Sequence, residues 1–152
     1  MGIDNSILSV DSIPRLIFKL AGMHSLSANR LLKPFDLTVE QGWVLVHLKA
    51  EGTVSQKELA ARTFKDQASI TRILGRLQGK GLIEVKGDTN DRRVNLVKIS
   101  SRGETLLEEV INEVDKAYDA LNAIFTEDDD SKLRPLLLKY TNALDLVRPD
   151  VK

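Results

Sequence analysis

Arginines are the side chains in this sequence whose type and placement best suit chemistry. Arg92 and Arg93 are adjacent in the polar run GDTNDRR, and Arg72 lies in QASITRILGRL with Arg76 one helical turn further on. A guanidinium carries a fixed charge and a planar fork of donors, which matches phosphate or the O6 and N7 of guanine. Other chemistries have less to work with. The chain contains no cysteine, which excludes thiolate nucleophiles, iron–sulfur clusters, cysteine zinc sites, disulfides and thiol-based redox sensing. His24 and His47 are its only imidazoles. Glu127, Asp128, Asp129 and Asp130 offer carboxylates to a hard metal ion, but consecutive acids cannot all face one ion, and acids at a helix start favour its dipole. No phosphate-cradling GxxxxGKS or GxxxxGKT, no HExxH and no GxSxG occurs. We therefore expect no enzyme activity, no cofactor and no metal.

Charge narrows the field further. The net charge is zero, yet residues 1–54 carry five basic and five acidic side chains, residues 55–102 eleven and five, and residues 103–152 six and twelve. A block with an excess of six positive charges inside a neutral chain is what a surface for a polyanion requires. With 152 residues, 42% of them hydrophobic and 29% charged, the chain has the composition of one soluble domain with a core. No apolar run approaches the roughly 20 residues that cross a bilayer, and MGIDNSILSVDSIPR has no basic start followed by an apolar stretch. The expected location is the cytoplasm, with no membrane partner.

These residues need elements to position them. Thr38 with Gln41, Ser55 with Glu58 and Ser101 with Glu104 have capping-box spacing before apolar-periodic stretches, and Thr126 with Asp129 is a fourth, weaker case. Ahead of them Ile13, Leu16, Ile17, Leu20, His24, Ala28 and Leu31 recur at helical spacing, with Pro14 suited to the first turn and Pro34 ending the helix. WVLVHLKA after Thr38 is apolar almost all round, which predicts a helix buried on several sides up to Gly52. A short helix from Ser55 to about Thr63, then Phe64 and Lys65, leads to Asp66, a good N-cap for a second helix that ends near Lys80 and Gly81. LIEVK and VNLVKI then read as two strands, with GDTNDRR as the loop between them. The prediction is a mainly α fold with a small two-stranded β-wing, a winged helix-turn-helix.

In the second reader helix, Ile70, Ile73, Leu74 and Leu77 mark the inner face. The opposite face then carries Ala68, Arg72, Gly75 and Gly79, flanked by Ser69, Thr71 and Arg76. Small residues around one arginine let a helix lie close to a major groove, where Arg72 could fork to guanine and Gln67, Ser69 and Thr71 could meet bases or phosphates. Arg92 and Arg93 suit a narrow minor groove, with Asp91 holding one of them or forming the turn. Ser55 and Lys86 complete the set expected at DNA.

After Ser101, apolar residues from Leu106 to Phe125 trace a stripe about six turns long, and Leu133, Leu136, Leu137, Tyr140, Leu144 and Val147 trace another. Pro135 predicts a kink there or a helix start near Asp130. These stripes exceed what a small reader can cover, so a second subunit is expected. The interface is assigned to Ile13, Leu16, Leu20, Leu121, Phe125, Leu136, Leu137, Tyr140 and Leu144.

LTVEQGWVLVHL, SQKELAARTFKDQASITRILGRLQGKGLIE and NDRRVNLVKISSRGETLLEE together resemble the MarR family of bacterial winged-helix transcription regulators, over nearly the whole chain. The resemblance implies one domain over residues 1–152, with residues 35–100 as the DNA-binding part and residues 10–33 and 101–148 as dimerisation helices. It implies a homodimer, acting as a repressor on an inverted repeat in double-stranded DNA. Reader contacts would fall on Gln67, Ala68, Ser69, Thr71 and Arg72, and the wing arginine on Arg93 supported by Asp91. Gly75 departs from the polar residue common at that position. The resemblance also implies a small aromatic or anionic effector, for which Arg15, Met23, His24, Trp43 and His47 are the candidate lining. The alternative for these residues is structural: Trp43 and His47 in the core, His24 in interface packing. The alternative for the whole protein is an adaptor that binds protein, or coats DNA without sequence preference.

Overall fold

The computed structural model describes residues 9, 12–63, 65–87 and 94–146. Its elements are α1 (Ile13–Leu32), a 3-10 turn (Lys33–Phe35), α2 (Val39–Glu51), β1 (Val54–Ser55), α3 (Gln56–Arg62), α4 (Gln67–Gly79), β2 (Ile83–Gly87), β3 (Asn95–Ile99), α5 (Ser101–Asn122) and α6 (Glu127–Leu146). They form two units, one reaching to Val114 and one starting at Asp115.

In the first unit Pro14 lies in the first turn of α1, which ends at Leu32 before Pro34. Thr38 and Gln41 form the expected capping box at the start of α2. Val44, Leu45 and Leu48 on α2 are buried together with Leu59, Ile70, Leu77, Leu82 and Val97. Burial of α2 is one-sided, however, because Trp43 is 55% exposed and Val46 is also open. The expectation of a helix covered all round, with Trp43 in the core, is corrected on this point.

Both wing strands are present, joined by β1, a third strand that two residues are too few to announce by periodicity. The antiparallel order is β1-β3-β2, and Val97 at the centre faces Val54 on one side and Val85 on the other. The tip of the wing, with Asp91, Arg92 and Arg93, lies outside the described residues.

The cap of α5 also differs from expectation. Ser100, not Ser101, accepts from the backbone N–H of Gly103 at 3.0 Å and donates to the carbonyl of Gly81 at 2.7 Å. Glu104 reaches Lys49 Nζ at 3.0 Å instead of closing a box with Ser101. The shift follows from close packing: the Ser100 N–H is bonded to the Leu82 carbonyl, and a Cβ on Gly103 would lie 2.1 Å from that oxygen. Glycine is required there.

The second unit holds the end of α5 and all of α6. Thr126 and Asp129 form a complete capping box, with the Asp129 N–H to Thr126 Oγ1 at 3.2 Å and the Thr126 N–H to Asp129 Oδ2 at 2.9 Å. Helix α6 therefore starts at Glu127 and runs through Pro135, which overturns a start near Asp130. The neighbouring acids have local tasks, since Asp128 pairs with Lys132 and Asp130 with Arg134.

Gly103→Ala is expected to cost about 1–3 kcal/mol, as an added methyl forced into backbone. Urea denaturation followed by circular dichroism measures this, and an unchanged midpoint would contradict the packing described.

Candidate nucleic-acid interface

Helix α4 starts where the Asp66 carboxylate accepts from Ser69 twice, from its backbone N–H at 2.7 Å and its hydroxyl at 2.8 Å. These bonds hold the Asp66 carboxyl below its ordinary range, the backbone donor contributing most. Ser55 and Glu58 do the same for α3: the Glu58 N–H donates to Ser55 Oγ at 3.2 Å, and the Ser55 N–H donates to the Glu58 carboxylate at 2.9 Å. That backbone bond from Ser55 is the main cause of a lowered Glu58 pKa. Ser55 is thus a helix cap, half-buried in β1, and its hydroxyl is engaged by Glu58.

Burial of Ile70, Leu74 and Leu77 turns the other face of α4 to solvent. Gln67, Ala68, Thr71, Arg72, Gly75, Arg76 and Gly79 are all exposed, and Ser69 is half-buried. The structure thus brings the expected reader residues onto one face. A Cβ built at Gly75 or Gly79 meets nothing within 4 Å, so packing within the chain does not require either glycine. Arg72 Nη2 donates to Ser69 Oγ at 3.3 Å. Among the described residues, no carboxylate pairs with Arg72 or Arg76, and the other end of the basic block presents Lys86, exposed on β2.

Two residues absent from the sequence assignment also belong here. Lys65 joins Ser69, Arg72, Ile73 and Arg76 around a cleft of about 240 Å³ closed by Thr38, Glu40 and Gln41. Gln56 on α3 donates to Thr71 Oγ1. That pair spans the turn between two helices, so no local spacing signals it.

Of the candidate effector residues, Trp43 and His47 line a second cleft, of about 360 Å³, with Glu40, Arg62, Lys65 and Ile73. Arg15, Met23 and His24 are exposed on α1 and do not line it. Of the candidate interface residues, Ile13, Leu16 and Leu20 are exposed on α1 in the first unit, beside Phe18 at 82% exposure. In the second unit Leu121, Phe125, Leu136, Leu137 and Leu144 are exposed and Tyr140 is half-buried.

A short helix, a turn and a second helix with a basic outer face, followed by a β-wing, define a winged helix-turn-helix protein of the DNA-reading class. The MarR family pattern matches residues 35–94. The transcriptional regulator FarR of Neisseria gonorrhoeae is 35% identical over 107 residues, which span 70% of this chain and 73% of FarR. A mutant of MarR from E. coli, crystallised with operator DNA, superposes with a TM-score of 0.79 at 28% identity, over 92% of this chain and 99% of that one. MepR of S. aureus in complex with DNA shares the fold, with a TM-score of 0.81 at 23% identity over 88% and 98% of the two chains. The chain belongs to the MarR family of transcriptional regulators.

Because its pKa is depressed in the folded state, Asp66 stabilises the protein above its unfolded pKa, and this is lost as pH falls through the folded value. Asp66→Ala is expected to lower the melting temperature at neutral pH, and the gap to wild type should close in acid. Asp66→Asn, which keeps a capping oxygen, should lie nearer wild type at neutral pH. Melting curves from pH 7 to 2 test this; a constant gap would contradict it.

Proposed function

We propose that this protein is a sequence-specific DNA-binding repressor that acts as a homodimer on an inverted-repeat operator. The observation that carries the reading is the exposed face of α4, where Arg72 and Arg76 form no ion pair among the described residues and the other side chains are small or polar. The FarR and MarR likenesses support it, as does the operator DNA bound by the E. coli relative. In this reading residues 35–100 read DNA, Arg72 forks to a guanine, and Arg93 enters the minor groove with Asp91 as its support. Its place of action is the cytoplasm, where the DNA lies; no described helix is long and apolar enough to cross a membrane.

Residues 10–33 and 101–148 supply the dimer contacts. The support is the run of large apolar side chains open to solvent along α1 and α6, at spacings that repeat on a helix, since apolar faces of this kind mark association sites. A small aromatic or anionic effector is assigned to the Trp43–His47 cleft, where an indole face and Lys65 offer stacking and charge. Such a ligand would release DNA only by binding the DNA-free form more tightly.

Selection of bound duplexes from a random pool at physiological salt is expected to enrich an inverted repeat whose half-sites lie about 34–36 Å apart. Arg72→Ala should cost about 1–3 kcal/mol at one base position per half-site. Uniform weakening over all sequences would make Arg72 a phosphate contact, and retention without enrichment would favour a non-specific coat. Sedimentation equilibrium should give twice the chain mass, and Leu20→Asp with Phe125→Asp should shift it to the monomer; wild-type protein at one chain mass would refute the dimer.

A further inference from the structure

The hydroxyl of Thr71 is largely committed within the protein. Oγ1 donates to the Gln67 carbonyl one turn back at 2.8 Å, and Gln56 Nε2 donates to the same Oγ1 at 2.5 Å. A hydroxyl has one proton, and that proton goes to Gln67, so the amide of Gln56 must present its N–H and not its oxygen. What Thr71 keeps for an outside partner is its methyl group and one lone pair. Ser69 is in a similar condition, since its Oγ donates to Asp66 Oδ2 at 2.8 Å and accepts from Arg72 Nη2 at 3.3 Å. The exposed face of α4 is therefore less polar than its residue types suggest. Gln67, Arg72 and Arg76 have donors to offer, whereas Ala68 and Thr71, three apart and hence neighbours on the helix surface, offer methyl groups.

We infer that Ala68 and Thr71 form an apolar patch that selects thymine through its 5-methyl group, with Gln56 as the positioning residue that keeps the Thr71 hydroxyl turned onto its own chain. The inference rests on the proposal that α4 reads DNA. In the major groove the 5-methyl is the feature thymine alone presents, and alanine or threonine methyls are suited to meet it. A hydroxyl free to rotate would be permissive, donating to N7, O6 or O4 and accepting from N4 or N6. Locking it removes most of those options and leaves the methyl contact to discriminate.

The test begins with wild-type protein on a random pool. Absence of any base preference there defeats the DNA-reading proposal itself, before thymine is at issue. With an enriched operator, each thymine of one half-site is replaced in turn by deoxyuridine, which pairs identically but lacks the methyl. Wild type should lose about fourfold in affinity at one position, the worth of one buried methyl. Thr71→Val, which keeps the shape without the hydroxyl, should retain that sensitivity. Thr71→Ser, which keeps the hydroxyl without the methyl, should lose it, and Gln56→Ala should broaden base preference at the same position. Melting curves confirm that these surface variants fold. The inference is overturned if uracil is tolerated at every position, if Thr71→Ser keeps the methyl sensitivity, or if Thr71→Val loses it.

Discussion

Burial of Ile70, Leu74 and Leu77 fixes the rotation of α4, and what the protein can present to a duplex depends on it. Successive helical residues are about 100° apart, so a slip of one position would carry Arg72 off the outward face. The far end of α4 is held as firmly. The Leu82 N–H bonds to the Leu77 carbonyl, Gly81 takes a positive φ of 70°, and its carbonyl accepts from Ser100. Ser100 in turn caps α5, whose Gly103 lies against the Leu82 carbonyl. One short run of contacts thus ties the exit of the reader helix to the entry of the helix that follows the wing, and the orientation of one is carried by the other.

The same economy governs charge. Several acids near α4 are occupied locally: Asp66 and Glu58 cap helices, Asp36 pairs with Lys80, Glu51 with Arg62, Glu84 with Lys98 and Glu104 with Lys49, whereas Glu40 lines the cleft beside Arg72 and Arg76. Exposed pairs of this kind contribute little stability each. Their effect is positional. With these carboxylates engaged elsewhere, Arg72 and Arg76 form no ion pair among the described residues and present their charge on the exposed face of α4.

Much of this was legible in the sequence because the signals are local. The boxes at Thr38, Ser55 and Thr126, the Asp66 cap, the glycine after Lys80 and the two longer strands are all read within a few residues, and helical periodicity predicts which face of α4 is exposed. What escaped is non-local. β1 is defined by pairing with Leu96 and Val97, some forty residues away, and Ser100 displaced Ser101 as a cap because Gly81 and Leu82 came to lie beside it. Gln56 could not be assigned to Thr71 before the turn between α3 and α4 was known. Trp43 shares a helix with core residues, yet the described residues leave it 55% exposed. The gathering of Arg15, Met23 and His24 with Trp43 and His47 likewise asked spacing to specify a tertiary contact.

The glycines of α4 show which requirement shaped this helix. Gly75 lies inside the helix, where glycine costs about 1 kcal/mol relative to alanine, and the space a Cβ would take there is open, whereas Gly79 is the last residue of α4. Folding alone would therefore favour alanine in place of Gly75. An acid at Gly75, three residues beyond Arg72, would also be placed to pair with that guanidinium, and glycine leaves it without such a competitor. An open glycine on the outward face, an arginine with no ion pair among the described residues and a threonine whose hydroxyl is turned inward agree with the proposed reading, in which a partner outside the chain approaches the helix backbone closely. A major groove fits those terms: it admits a helix, supplies phosphates for the flanking cations and places base edges within reach of Arg72.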